Sequence, residues 1–315
     1  MKLDIVHFLN YKEFVSGELI SKKLNISRTA VWKKIQLLKE LGYDIESVKN
    51  KGYRLISKPD VTLSEEITFN LDTKIIGKKI IYFNSISSTN SYAKNLIKKN
   101  AEEGTVIISD VQTNGRGRKN RNWFSPKEGL WFSVLLYPKI PTQYAMYVTM
   151  AASISVVQAI NKLTGLLPII KWPNDLLLEG KKICGILTEL DAEIDRINYC
   201  IVGIGINVNN YLDKELIGKA GSIIDFYNSK ISRVELLKLF LYYFDINYLK
   251  LISKNFDYIK DLWLSYANIL DKKVRIIGEK NIITGLIVDI DDTGCLIVNA
   301  NDKKIKVVSG DLEFI

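Results

Sequence analysis

The chain has 315 residues, 47% hydrophobic and 25% charged, with a formal charge of +9, which excludes a disordered chain and leaves room for two or three domains. A single histidine, His7, excludes histidine-ligated zinc and Ser-His-Asp or Cys-His catalysis, while Cys184, Cys200 and Cys295 are too far apart for CxxC chemistry and point to a reducing cytoplasm. The first twenty residues are charged throughout and no apolar run reaches about 18 residues, so neither a signal peptide nor a membrane span is expected.

Residues 1 to 60 hold 12 Lys and Arg against 7 Asp and Glu, so +5 of the charge lies there. Such a terminus fits a polyanionic partner, and equally a lysine-rich solvated surface. Gly17 to Leu24 places Leu19, Ile20 and Leu24 at helical spacing, and Ser27 is a good N-cap for a second helix that keeps Val31, Ile35, Leu38 and Leu41 on one face. Its outer face carries Arg28, Thr29, Trp32, Lys33 and Gln36, which could reach phosphates and base edges in a major groove. After Gly42 the period becomes two: Ile45 and Val48, a Lys49-Asn50-Lys51-Gly52 turn, then Tyr53 and Leu55. The pattern is a winged helix-turn-helix with Lys49 and Lys51 at the wing tip, suited to DNA or to protein contacts.

Ser57-Lys58-Pro59-Asp60 breaks this pattern and is expected as the linker, giving modules at 1–60, 65–269 and 270–315. In the middle module, strands are expected at Lys79 to Phe83, Thr105 to Val111, Leu130 to Tyr137, Leu167 to Trp172, Cys184 to Leu190 and Tyr199 to Val208. Helices are expected at Asn90 to Lys99, Gln143 to Leu163 and Arg233 to Leu251. From Lys272 short alternating runs predict a small all-β barrel of about five strands. The fold class is α+β multidomain, without internal repeats.

Between two middle strands lies GRGRKNRNW, Gly115 to Trp123, whose glycines allow close backbone approach and whose arginines suit phosphate or carboxylate. Alone it reads as a phosphate site, an RNA-contacting arm, or a loop ending in a core tryptophan. SSTN, Ser87 to Asn90, sets hydroxyls and an amide at a helix start. KWPND puts Lys171, Asn174 and Asp175 at a strand end, KKICGIL returns Lys182 and Gly185 beside them after a turn at Glu179-Gly180, and GIGIN supplies glycines against which a flat ligand could lie.

In that order, SSTN, Gln112 with GRGRKNRNW, KWPND, KKICGIL and GIGIN resemble the biotin protein ligase family, and the flanking modules resemble its bifunctional members, which also repress biotin-synthesis genes. The resemblance implies a class II synthetase-like central fold, an SH3-like C-terminal barrel, and a two-step reaction. Biotin and ATP, with Mg²⁺, give biotinyl-5′-AMP and pyrophosphate; the biotinyl group then passes to a lysine of a biotin carboxyl carrier domain. It implies that Ser88, Thr89, Asn90 and Gln112 serve the ureido ring, and that Gly115, Arg116, Gly117 and Arg118 belong to a loop that orders over biotin and its adenylate. Arg121 would stabilise phosphates, Trp123 would flank adenine, and Lys182 beside Gly185 would bridge the biotin carboxylate and α-phosphate. Lys171, Asn174 and Asn207 fall on the nucleotide side, with no dedicated metal site. Operator DNA and a ligand-promoted homodimer are the implied partners of the repressor.

The residues agree with that chemistry. A carboxylate is ionised at pH 7, so its attack on the α-phosphate needs positive charge on the developing phosphorane but no general base. The acceptor amine of the second step must lose a proton, and Asp175 is the candidate to position or accept it. The family often has GRGRRGRxW, so Lys119-Asn120 is a departure, eased because Asn tolerates left-handed backbone angles. A ligand-sensing transcription factor with a non-catalytic domain and a lipoate-type ligase are the alternatives.

Overall fold

The computed structural model describes residues 4–278 and 281–315, and the chain forms two compact units, Met1–Phe69 and Asn70–Ile315. The first holds α1 (Gly17–Leu24), α2 (Arg28–Glu40), the hairpin β1 (Asp44–Val48) and β2 (Gly52–Ser57), and α3 (Ser64–Thr68). Ser16 and Ser27 cap α1 and α2 by accepting from Leu19 and Ala30 backbone amides, each at 3.1 Å, as their β-region backbone and short hydroxyls favour. Ile20, Val31, Ile35 and Leu38 are buried as expected, but Leu19 is 45% exposed.

The first unit runs past the expected linker. Tyr43 donates to Glu66 Oε1 at 2.6 Å, Lys58 pairs with Glu66 at 3.2 Å, and His7 stacks on Phe69 with centroids 3.5 Å apart. Ile67 is fully buried, so α3 closes this unit.

The second unit continues with β3 (Ile80–Phe83), α4 (Thr89–Ile97), β4 (Val106–Ser109), β5 (Leu130–Leu136), α5 (Met146–Thr164), β6 (Ile169–Lys171), β7 (Asp175–Leu178), β8 (Lys181–Ala192) and β9 (Ile197–Ile206). There follow α6 (Ile224–Tyr227), α7 (Arg233–Ile252), α8 (Phe256–Ala267), β10 (Lys273–Ile277), β11 (Ile282–Ile290), β12 (Leu296–Ala300), β13 (Lys303–Val307) and β14 (Asp311–Phe314). Helix α8 is not among the expected helices; Asn255 caps it, and it buries Ile259, Trp263 and Ala267. Seven strands form a mixed sheet ordered β3-β4-β5-β9-β8-β7-β6, in which only β3 and β4 pair in parallel. The last five strands form a second, antiparallel sheet ordered β13-β12-β11-β10-β14.

Register assigns the faces of the large sheet, because directly paired residues share a side. Ser133, Gly203 and Leu187 align across β5, β9 and β8, as do Trp131, Gly205 and Gly185, and Leu135, Ile201 and Glu189. Leu135 and Ile201 pack with Ala93 of α4, so this is the α4 face. On the other face Phe132 meets Phe240 of α7 edge-on at 5.0 Å and Thr188 bonds Thr149 of α5 at 2.7 Å. Helix α5 is buried from Tyr147 to Val157 and ends at Gly165 in the left-handed region, φ 77°, the usual way an apolar core helix stops. Helices α5 and α7 thus cover one face and α4 packs on part of the other, whose glycine end is left open.

Candidate active site

Glycine makes that open end. A Cβ at Gly203 would overlap the Asn90 carboxamide, one at Gly205 would overlap Trp123 Nε1, and one at Gly185 would lie 2.9 Å from Trp123 Cζ3. The paired glycines are a floor on which the Trp123 indole rests, steadied by an edge contact with Trp131 at 6.5 Å between centroids.

One wall is the start of α4. Ser88 is its N-cap, and Ser88, Thr89 and Asn90 are all buried. Thr89 donates its backbone amide at 2.9 Å and its hydroxyl at 3.1 Å to Gln112 Oε1, and Gln112 Nε2 donates to Ser125 Oγ at 3.0 Å. Ser133 donates to Asn90 Oδ1 at 2.6 Å, and Asn90 Nδ2 donates to Glu189 Oε2 at 2.7 Å. This chain fixes the side-chain amide and hydroxyl orientations, giving a rigid set of donors and acceptors.

The lid is the cationic loop, folded as a hairpin. Trp123 donates its amide to Gly115 O at 2.9 Å and Gly117 to Arg121 O at 2.7 Å, with a bridge between Arg116 and Asn122. The turn places Lys119 at φ 54° and Asn120 at φ 57°, so both residues of the departure from the family pattern adopt the left-handed conformation. Each loop cation has a protein counter-group: Arg116 Nη2 meets Glu189 at 3.1 and 3.2 Å, Arg118 Nη1 donates to Asn174 Oδ1 at 2.9 Å, and Lys119 and Arg121 converge on Asp311 at 3.3 and 2.6 Å. Burial lowers the Arg118 guanidinium from its usual value, and the nearby Asp311 and Asp175 charges oppose that. The buried Arg116 Nε and Trp123 Nε1 have no hydrogen-bond partner, the latter lying against the Gly205 backbone.

The far wall is the β7–β8 hairpin. Lys182 Nζ lies 2.7 Å from Asp175 Oδ1, too poorly angled for a hydrogen bond, and 5.1 Å from the Trp123 ring centroid. Asn174 spans the strands, donating Nδ2 to Ile186 O at 2.9 Å while its backbone carbonyl accepts from Ile186 N at 2.9 Å. Asn207 is buried at the end of β9, and Asn210 Nδ2 donates to it at 3.3 Å.

One cavity is therefore lined by Ser88, Thr89, Asn90, Gln112, Arg116, Gly117, Arg118, Arg121, Trp123, Asn174, Asp175, Lys182, Gly185 and Asn207 together. Two residues expected there are not part of its lining. Gly115 is a rung of the loop hairpin, where a Cβ would strike the Trp123 carbonyl, and Lys171 closes the β6–β7 turn opposite Asp175. The sequence reading missed Glu189, Ser133 and Asp311. Glu189 was within reach, since it follows Gly185 and Leu187 on one face at a period of two, whereas Asp311 lies 190 residues from Arg121 with no local sign of the contact.

In the first unit, Arg28, Thr29, Trp32 and Lys33 are exposed on one side of α2, with Trp32 53% exposed, and Gln36 is half-buried. Arg28 is held by Glu18 of α1 at 2.6 Å; Lys49 and Lys51 are exposed at the hairpin tip. Among the described residues, no helix is long and apolar enough to cross a membrane.

Comparisons with known proteins agree along the whole chain. Residues 82–207 match the biotin/lipoate A/B protein ligase family, 2–54 match a helix-turn-helix domain and 269–314 the biotin protein ligase C-terminal domain. The chain is 42% identical over 305 residues to the bifunctional ligase/repressor BirA of Bacillus subtilis (strain 168), covering 96% of this chain and 94% of that one. It is 32% identical over 207 residues to the bifunctional ligase/repressor BirA of Escherichia coli (strain K12), covering 65% and 63%. A biotin protein ligase from Aquifex aeolicus in complex with biotin and ATP superposes with a TM-score of 0.66 at 30% identity, covering 76% of this chain and 99% of that one. With both flanking modules and the complete cavity in place, the chain belongs to the biotin protein ligase family, in its bifunctional ligase/repressor branch.

Proposed function

We infer that the chain is an ATP-dependent biotin protein ligase that also acts as a biotin-responsive transcriptional repressor. The observation that carries the enzymatic reading is the cavity: a polar Thr89-Gln112 wall, a glycine floor, and a lid bearing Arg116, Arg118 and Arg121 that reaches toward Lys182. Biotin takes the α4 side, with Ser88, Thr89, Asn90 and Gln112 around its ureido ring. ATP takes the side of Arg121, Asn174 and Asn207, with Trp123 beside the adenine.

In the first step a biotin carboxylate oxygen bonds the α-phosphorus as its bond to the bridging oxygen breaks and pyrophosphate leaves. Lys182 and Arg118 stabilise the charge on the pentavalent phosphorus, the kind of electrostatic support that acts most strongly away from water. Mg²⁺ is proposed as the partner of the ATP phosphates, whose oxygens would supply its hard ligands. In the second step the carrier lysine amine attacks the biotinyl carbonyl and AMP departs. Asp175 takes or orients the amine proton, its carboxylate poised against Lys182.

The module expected at 1–60, which α3 extends to Phe69, is proposed for operator DNA, the following residues to 269 for catalysis and 270–315 as the C-terminal domain. Exposed Arg28, Thr29, Trp32 and Lys33 on α2, with half-buried Gln36, and Lys49 and Lys51 on the wing, support DNA recognition. With biotinyl-5′-AMP as corepressor, two copies would pair in the cytoplasm and meet a palindromic operator.

Single-turnover transfer of radiolabelled biotin with MgATP onto a carrier fragment, and onto its acceptor-lysine-to-alanine variant, tests the ligase. Label on the first alone is expected. Label on neither, with biotin bound, would sink the ligase reading in favour of a sensor. Repression requires operator-length DNA to bind only when biotin and ATP are present, with affinity falling steeply in salt.

A further inference from the structure

Asp311 is the first residue of β14, paired with Ile277 of β10, and so belongs to the C-terminal sheet rather than to the sheet that carries the cavity floor. Its carboxylate nevertheless lines the cavity and receives Arg121 Nη2 at 2.6 Å and Lys119 Nζ at 3.3 Å, both on the same oxygen. The contact is solvent-accessible, with the Arg121 side chain 64% exposed and that of Asp311 36% exposed. Burial works to raise the Asp311 carboxyl, and the hydrogen bonds from Arg121 and Lys119 outweigh it, keeping the group below the usual range. A single carboxylate on two partly solvated cations is a weak ligand, and a polyphosphate with several oxygens and bidentate geometry for arginine is a stronger one.

We propose that Asp311 is a displaceable counter-ion for Arg121, the cation assigned to the phosphates, and for its loop neighbour Lys119: it holds both while no nucleotide is bound, yields Arg121 to the triphosphate of ATP, and reclaims it as pyrophosphate leaves. This rests on the ATP reading above. Asp311 acts through Arg121 and is a positioning residue. Its negative charge beside the phosphate site weakens binding of both ATP and pyrophosphate. Product pyrophosphate therefore leaves readily and the adenylate is protected from reversal, while the biotin side is untouched.

The test uses the full chain with the isosteric Asp311→Asn substitution, measuring KM for MgATP, KM for biotin, and inhibition of adenylate formation by inorganic pyrophosphate. The KM for ATP and the inhibition constant for pyrophosphate are both expected to fall about three- to tenfold, with the biotin KM unchanged and Asp311→Glu restoring wild-type values. Arg121→Gln is expected to raise the ATP KM and to abolish the effect of Asp311→Asn in the double variant. A higher ATP KM in Asp311→Asn would overturn the proposal, because Asp311 would then be arranging the loop for nucleotide; so would an unchanged one, or additive effects in the double variant. Loss of all biotin transfer by the wild-type chain would instead defeat the ligase reading itself.

Discussion

Replacing Glu189 by alanine should loosen the cavity twice over, in stability and in biotin affinity. The Glu189 carboxylate accepts from Asn90 Nδ2 at 2.7 Å and from Arg116 at 3.1 Å, joining the start of α4 to the lid through β8. Asn90 is only 4% exposed, and a hydrogen bond from a buried amide to a charged acceptor contributes about 1.5–3 kcal/mol. The Arg116–Glu189 pair has side chains 36% and 32% exposed, so solvent screening limits it to at most about 1 kcal/mol. In the variant Asn90 Nδ2 keeps a long contact to Leu187 O at 3.4 Å, which offsets part of the loss. A net cost of about 2 kcal/mol lowers Tm by about 4 to 8 °C for a unit of this size. The freed Arg116 should raise the biotin KM up to about fivefold. Glu189→Gln separates the two, since its carboxamide oxygen still accepts from Asn90 while the charge facing Arg116 is gone. Calorimetry should therefore find most of the Tm restored in Glu189→Gln, with the biotin KM still elevated. A Glu189→Ala protein melting within about 1 °C of wild type, or a Glu189→Gln protein as unstable as the alanine variant, would refute this account.

Asp245 of α7 is 4% exposed and accepts the backbone amides of Lys74, Ile75 and Ile76 at 2.7 to 2.8 Å, tying the chain before β3 to the helices. Asp245→Asn turns an NH₂ toward those donors and should cost on the order of 3 kcal/mol, read as a lower urea midpoint; an unmoved midpoint would contradict it. Burial works to raise the Asp291 carboxyl, but hydrogen bonds from Lys306, Thr293 and Cys295 outweigh it and hold it at about 2. Because this folded-state value is depressed, its contribution is complete above the unfolded value of about 3.9 and disappears as pH falls through about 2. The stability difference between wild type and Asp291→Asn should therefore shrink across that window, and a pH-independent difference would speak against it. Arg118→Gly removes the bond to Asn174 Oδ1 at 2.9 Å and should release biotinyl-5′-AMP at least about tenfold faster, labelling lysines of a bystander protein. Unchanged adenylate retention would count against the role given to Arg118.

Much of this protein was written locally in its sequence. Ser27 was legible as an N-cap and SSTN as a helix start, because capping depends on residues within one turn. The alternation through KKICGIL and GIGIN named two strands, and their glycines marked where something must lie flat on the sheet. The cationic loop was equally visible, since its chemistry is in its composition.

What tertiary structure decided was which distant residues meet. The short α3 gave no strong periodic signal, and only its contacts to Tyr43, Lys58 and Ile67's burial extend the first unit beyond the expected linker. Lys171 and Lys182 were both expected at the site, but the folded hairpin sets Lys182 5.1 Å from the Trp123 ring centroid and leaves Lys171 outside the lining. Asp311 reaches Arg121 because the C-terminal sheet brings the start of β14 to the lid. Caps, periods and glycines act over a few residues and can be read along the chain. Counter-ion pairing and cavity lining depend on which surfaces the folded chain sets face to face, and no local spacing encodes that.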